Sequence, residues 1–214
     1  EKILSGQNML ILGQSGTGKS TLIQKYHDAL SEEEQRATLY VAFTGKASTK
    51  LPHGRTIHSA LEIVPGLLMD RSYGQSLPEG IHRVVIDEIG MVRVDLFNFV
   101  LRAISNTPWD VQLIMVGDFS QTCAFVAKEE EDAYKACYGE KIQCYESELW
   151  SSLDLEVIKL HHVERQKDEA FASALLKVRY GQWEGVTEIM ARASKHYNED
   201  DKVPYICPTN DLVD

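Results

Sequence analysis

The run Gly13-Gln14-Ser15-Gly16-Thr17-Gly18-Lys19-Ser20 limits what this chain can become more than any other stretch of it. It satisfies G-x-x-x-x-G-K-[ST] in full, and it lies between an apolar run, Asn8-Met9-Leu10-Ile11-Leu12, and a segment with helical spacing over residues 20–30. Strand, glycine-rich turn and helix in that order make a cradle for phosphate. The glycines let the backbone curl so that successive N–H groups face inward, and the helix N-terminus adds a favourable dipole. On this reading Gly13, Gln14, Ser15, Gly16, Thr17, Gly18, Lys19, Ser20 and Thr21 surround the phosphates of ATP. Lys19 reaches the β- and γ-phosphates, the Ser20 hydroxyl meets Mg2+, and Thr21 continues the first helical turn.

Such a site needs an acidic partner at the end of a buried strand, and Val84-Val85-Ile86-Asp87-Glu88 supplies one. Asp87 is placed to hold Mg2+, and Glu88 to polarise the water that attacks the γ-phosphate. An Asp-Glu pair after an apolar run is by itself usually a strand end meeting solvent. The complete glycine-rich turn upstream is what gives this pair its weight.

Further apolar runs at 38–43, 83–86, 111–116 and 155–160 read as strands, and the spacing over 96–104, 169–179 and 183–193 predicts helices. Strands alternating with helices imply an α/β fold with a mostly parallel sheet and helices on both faces. Residues 66–80, rich in Gly, Pro and Ser, read as a small insertion. With 214 residues, 43% of them hydrophobic, the chain can bury a substantial core. It opens on Glu1, and Val203-Pro204-Tyr205-Ile206-Cys207-Pro208-Thr209-Asn210 reads as a strand entering a loop near the last residue, so a fragment of a longer protein is expected.

A formal charge of −10 argues against a surface that grips nucleic acid all round, but it leaves room for a narrow basic track. Residues 44–58 hold Lys46, Lys50, His53, Arg55 and His58 with no acid among them. Acid gathers instead at 31–34, 128–132 and 198–201, which read as solvated loops or helix ends. The four cysteines, Cys123, Cys137, Cys144 and Cys207, lack C-x-x-C spacing and paired histidines, so reduced thiols in an intracellular compartment are expected rather than zinc or a disulfide framework. No apolar run is long enough for a membrane span and no charged n-region followed by an apolar h-region opens the sequence, so secretion is not expected.

Four segments then carry a resemblance. Phe43-Thr44-Gly45-Lys46-Ala47 with Gly54-Arg55-Thr56-Ile57-His58-Ser59 resembles helicase motif Ia, and Ile86-Asp87-Glu88-Ile89-Gly90-Met91-Val92 is similar to an I-D-E-x-S-M-V motif II. Val116-Gly117-Asp118-Phe119-Ser120-Gln121 matches the G-D-x-x-Q of motif III, and 160–166 resembles a region closing on an Arg-Gln pair. In this order they resemble the petite-integration-frequency and RecD-like family of superfamily 1B, 5′-to-3′ DNA helicases. The resemblance implies a RecA-like motor domain over residues 1–200 with an insertion at about 64–80, and the start of a truncated second RecA-like domain over 201–214. It implies single-stranded DNA as partner, with RNA an open alternative, and a catalytic cleft closed by that second domain. Gln121 would sense the γ-phosphate, Arg165 would stabilise charge on the transferred phosphoryl group, and Thr44, Lys46, Arg55, Thr56 and His58 would position the strand.

The sequence departs from the family pattern at two places. The usual L-P-P-V after motif III is replaced by Thr122-Cys123-Ala124-Phe125-Val126, and Gly90 stands where Ser is usual. Two rival readings follow: a degenerate helicase-like domain kept for binding a partner, and a P-loop kinase acting on a small molecule. The kinase needs an arginine-rich lid, and the 66–80 insertion offers only Arg71.

Overall fold

In the strands of this protein apolar side chains point both ways, so each strand needs cover on two faces. The computed structural model describes residues 2–68, 75–162 and 168–192. Its strands are β1 (Met9–Gly13), β2 (Thr38–Ala42), β3 (Arg55–Thr56), β4 (Arg83–Asp87), β5 (Gln112–Gly117) and β6 (Glu156–Leu160). They form one sheet in the order β3-β2-β4-β5-β1-β6, and every pairing is parallel.

Alternation along these strands sorts the core into two layers. Leu10, Val41, Val84, Ile86, Leu113 and Met115 belong to one buried cluster, completed by Ile57 and Ala60 of α4 (Ile57–Ala60) and by Leu96, Phe97 and Val100 of α5 (Val94–Ser105). Ile11, Tyr40, Ala42, Val85, Ile114 and Val116 belong to the other, with Ile23 and Tyr26 of α1 (Lys19–Ala29) and Ala47 of α3 (Gly45–Ser48). Helices therefore cover both faces of a parallel RecA-like sheet, as the sequence pattern requires.

The chain divides into two compact units, Glu1–Arg165 and Gln166–Asp214, and the whole sheet lies in the first. In the second, α7 (Glu169–Arg179) and α8 (Trp183–Arg192) pack as a helical pair. Asp168 caps α7 by accepting from Phe171 N at 2.9 Å and also binds Arg192 at 2.6 Å.

One strand differs from expectation, whereas the acidic stretches at 31–34 and 128–132 fall at helix ends, as expected. Strand β3 was not foreseen, because Arg55 and Thr56 carry no apolar run; it exists through pairing with Val41 and Ala42 of β2. The acidic stretch at 31–34 is a helix start: Ser31 caps α2 (Glu32–Arg36), and Glu34 returns the bond to the Ser31 N–H as a capping box. Acid at 128–132 enters α6 (Glu131–Tyr138), whose one buried side chain is Tyr134. The described flanks of the expected insertion are pinned to α5. Leu68 N donates to Asp95 in its first turn, and Leu77 N donates to Thr107 just beyond its end.

Candidate nucleotide site

Because all strands run the same way, the loops leaving their C-terminal ends collect along one edge of the sheet, where parallel α/β sheets bind ligands. The loop after β1 turns through Gly18, which caps α1 at φ 85°, a left-handed conformation that a side chain would oppose. Thr17 Oγ1 donates to Gln14 O at 2.9 Å and stiffens the turn. Lys19 folds back over it, its ammonium donating to Gly13 O at 2.6 Å and Gln14 O at 3.0 Å.

Two strands away, β4 ends at Asp87, buried to 5% exposure. One carboxylate oxygen accepts from Glu88 N at 2.9 Å. Burial pushes the Asp87 carboxyl above its ordinary value, opposed by the Glu88 N–H and by the positive charges of Lys19 and Lys50. Glu88 sits at φ 54°, ψ 42°. Left-handed backbone at a non-glycine residue costs of order 1 kcal/mol, and here it turns the chain sharply out of the strand into the cleft.

After β5, Asp118 is buried and organises the next turn. It accepts from Ser120 N at 3.0 Å through one carboxylate oxygen and from Gln121 Nε2 at 2.9 Å through the other. The Gln121 amide is thus held at the mouth of the site. A cleft of about 700 Å3 joins these pieces, lined by Ser15, Gly16, Gly18, Lys19, Ser20, Thr21, Asp87, Glu88, Asp118 and Gln121. Gly13, Gln14 and Thr17 lie in the turn beneath it without lining it.

The residues expected to position a strand collect at the ends of β2 and β3. Thr44 caps α3, its hydroxyl accepting from Ala47 N, and Thr56 caps α4 by accepting from Ser59 N, each at 3.1 Å. Arg55 is tied to Ser59 O at 2.7 Å, and Lys46 is exposed on α3. His58 meets the Phe43 ring edge-on; burial and then the nearby Arg93 charge hold its imidazole below the usual value, so it is neutral at pH 7. Arg165 lies outside the described residues, as do Arg71, Cys207 and residues 201–214.

Set against known proteins, residues 2–188 match the family described as PIF1-like helicase. The chain belongs to the PIF1-like helicase family. It is 30% identical over 216 residues to the ATP-dependent DNA helicase PIF1 of Danio rerio, a match covering 94% of this chain and 32% of that protein. Its fold is similar to that of the Bacteroides Pif1 crystal structure bound to single-stranded DNA, with a TM-score of 0.74 and 21% identity over 92% of this chain and 50% of the other. Pif1 helicase from Candida albicans gives a TM-score of 0.65 at 26% identity, covering 83% and 42% of the two chains. The chain spans about a third of the length of the Danio rerio relative.

Gly90 and Ala124, one position from each departure of this PIF1-like chain, meet at one point. A β-carbon on Gly90 would lie 2.8 Å from Asp118 O, so the motif II turn and the motif III turn touch through backbone. Beside that contact Ala124 N donates to Gly90 O at 3.0 Å. A proline at 124 would have no N–H to give. The glycine and the loss of proline are two sides of one close junction.

Sequence reasoning assigned no role to Asp118, although it lies inside the G-D-x-x-Q segment, and it grouped Lys50 with the strand-binding cations. Lys25 of α1 and Lys50 both line the nucleotide cleft. No local pattern announces this, since it depends on how α1 and α3 pack together.

The donor set fits a magnesium nucleotide. Among the described residues no group of three or more His, Cys, Asp or Glu side chains could hold a metal alone. A hydroxyl and one carboxylate lining a single cleft suit Mg2+, which keeps waters and takes the remaining oxygens from phosphate. Ser20 and Asp87 provide that pair.

Proposed function

We propose that the protein is an ATP-dependent DNA helicase whose sheet edge forms the motor's nucleotide-binding half. The single observation carrying this reading is that the P-loop, the Asp87-Glu88 tip and Gln121 line one cleft. The family assignment and the DNA-helicase names of the relatives support it.

In the proposed cycle the triphosphate draws the Lys19 ammonium from the Gly13 and Gln14 carbonyls onto its β- and γ-phosphates. Ser20 and Asp87 would hold Mg2+, which would supply positive charge to offset that of the phosphate oxygens. Glu88 orients a water and takes its proton as the water oxygen bonds to the γ-phosphorus and the bond to the ADP oxygen breaks. Gln121, steadied by Asp118, senses the γ-phosphate, and Arg165 stabilises the charge that develops there. Thr44, Lys46, Arg55, Thr56 and His58 form a base-independent track for single-stranded DNA, and a second RecA-like domain of the same protein completes the cleft. Movement is 5′ to 3′.

Hydrolysis with and without single-stranded DNA, and displacement of strands from 5′-tailed and 3′-tailed duplexes, test the reading. DNA should stimulate turnover, and both Lys19→Ala and Glu88→Gln should lower it by about 100-fold or more. Turnover unchanged by both substitutions would place hydrolysis outside this cleft and leave the cleft at most a binding site, and preferential opening of 3′-tailed duplexes would reverse the assigned direction.

A further inference from the structure

The basic side chains of residues 44–58 look alike in sequence, yet the fold sends them to different places. All three lysine and arginine side chains are exposed, but Lys46 and Arg55 lie at the ends of β2 and β3, whereas Lys50, just past α3, lines the nucleotide cleft together with Ser20, Asp87 and Glu88. Packing fixes this choice. Ala47 and Leu51, on either side of Lys50, are buried in the cluster that holds Ile23 and Tyr26 of the P-loop helix α1. The turn carrying Lys50 is therefore anchored to the same helix whose N-terminus faces the phosphates. Its charge also reaches Asp87, where it favours the ionised carboxylate.

We propose that Lys50 is a second phosphate-binding lysine, engaging the terminal phosphate of the triphosphate bound in the cleft that it lines together with Lys19. Lys50 lines the cleft with Asp87 and Glu88, the groups assigned to the metal and to the attacking water, and its charge acts on Asp87, so its reach is toward the end of the nucleotide where hydrolysis occurs. A lysine there adds a mobile point charge that responds to the number of phosphates present. The inference rests on the nucleotide reading of this cleft and adds a residue that discriminates triphosphate from diphosphate.

The test is equilibrium binding of a fluorescent non-hydrolysable ATP analogue, fluorescent ADP and a labelled DNA oligonucleotide to wild-type chain, Lys50→Met, Lys50→Arg and Lys19→Ala. Loss of one charge-assisted hydrogen bond weakens binding about tenfold, so Lys50→Met should lose about that much affinity for the triphosphate analogue. ADP and DNA affinities should stay at wild-type values, and Lys50→Arg should restore most of the loss. Unchanged triphosphate binding in Lys50→Met, with Lys19→Ala impaired, overturns this inference alone. Equal losses for ADP and triphosphate, or a loss confined to DNA, overturn it too. If Lys19→Ala binds both nucleotides like wild type, the cleft is not the nucleotide site and the proposed function falls with it.

Discussion

Gly90 lies where two loops touch, and the atom its β-carbon would strike is a carbonyl oxygen of the backbone, which cannot swing aside as a side chain can. Gly90→Ser, the residue usual in the family, should therefore destabilise this chain by about 1–3 kcal/mol in urea unfolding, as overpacked buried sites do. A serine variant as stable as wild type would show that the junction has room. That Lys19, Ser20, Asp87, Glu88 and Gln121 would line one cleft was legible in the sequence, because short local spacings at strand ends place them there. That Asp118 and Lys50 join them was not. Asp118 holds another side chain, and Lys50 enters the cleft from a turn flanked by the buried Ala47 and Leu51.

Helix α2 is built from acid, Glu32-Glu33-Glu34, and it is stable because that acid lies at its N-terminal end. The Ser31 N–H and hydroxyl hold the Glu34 carboxyl below its ordinary value, with Arg83 adding to the effect. A carboxyl with a depressed folded-state value contributes stability above its unfolded value, and that contribution disappears as pH falls through the folded one. Ser31→Ala should lower the melting midpoint by about 3 °C at pH 7, and the difference should shrink on acidification below the ordinary glutamate range. A gap that stays constant down to pH 3, measured by thermal scans across pH, would exclude Glu34 from the cap. Among the elements, the long strands and α5, α7 and α8 were readable from apolar periodicity. Strand β3 and helix α6 were not, since β3 depends on a partner strand and α6 buries only Tyr134.

Across the whole molecule, acid outweighs base by ten charges, so any grip on a nucleic acid must rely on few cations. The fold thins them further. In the 44–58 segment Lys50 lines the nucleotide cleft and His58 is neutral, which leaves Lys46 and Arg55 as the two cations among the strand-positioning residues. Two phosphate contacts on a single strand predict a slope of about −1.4 for log affinity against log salt. Fluorescence anisotropy of a labelled oligonucleotide between about 50 and 200 mM salt checks it, and a slope several times steeper would mean that a larger basic surface has been overlooked. The uniform direction of the strands has a practical corollary. Glu79, exposed ahead of β4, lies a full strand length from Asp87, so a cysteine installed there could carry a fluorophore without disturbing the reaction. The exposed thiols of Cys123 and Cys137 would first have to be removed, or the dye would also settle two residues from Gln121.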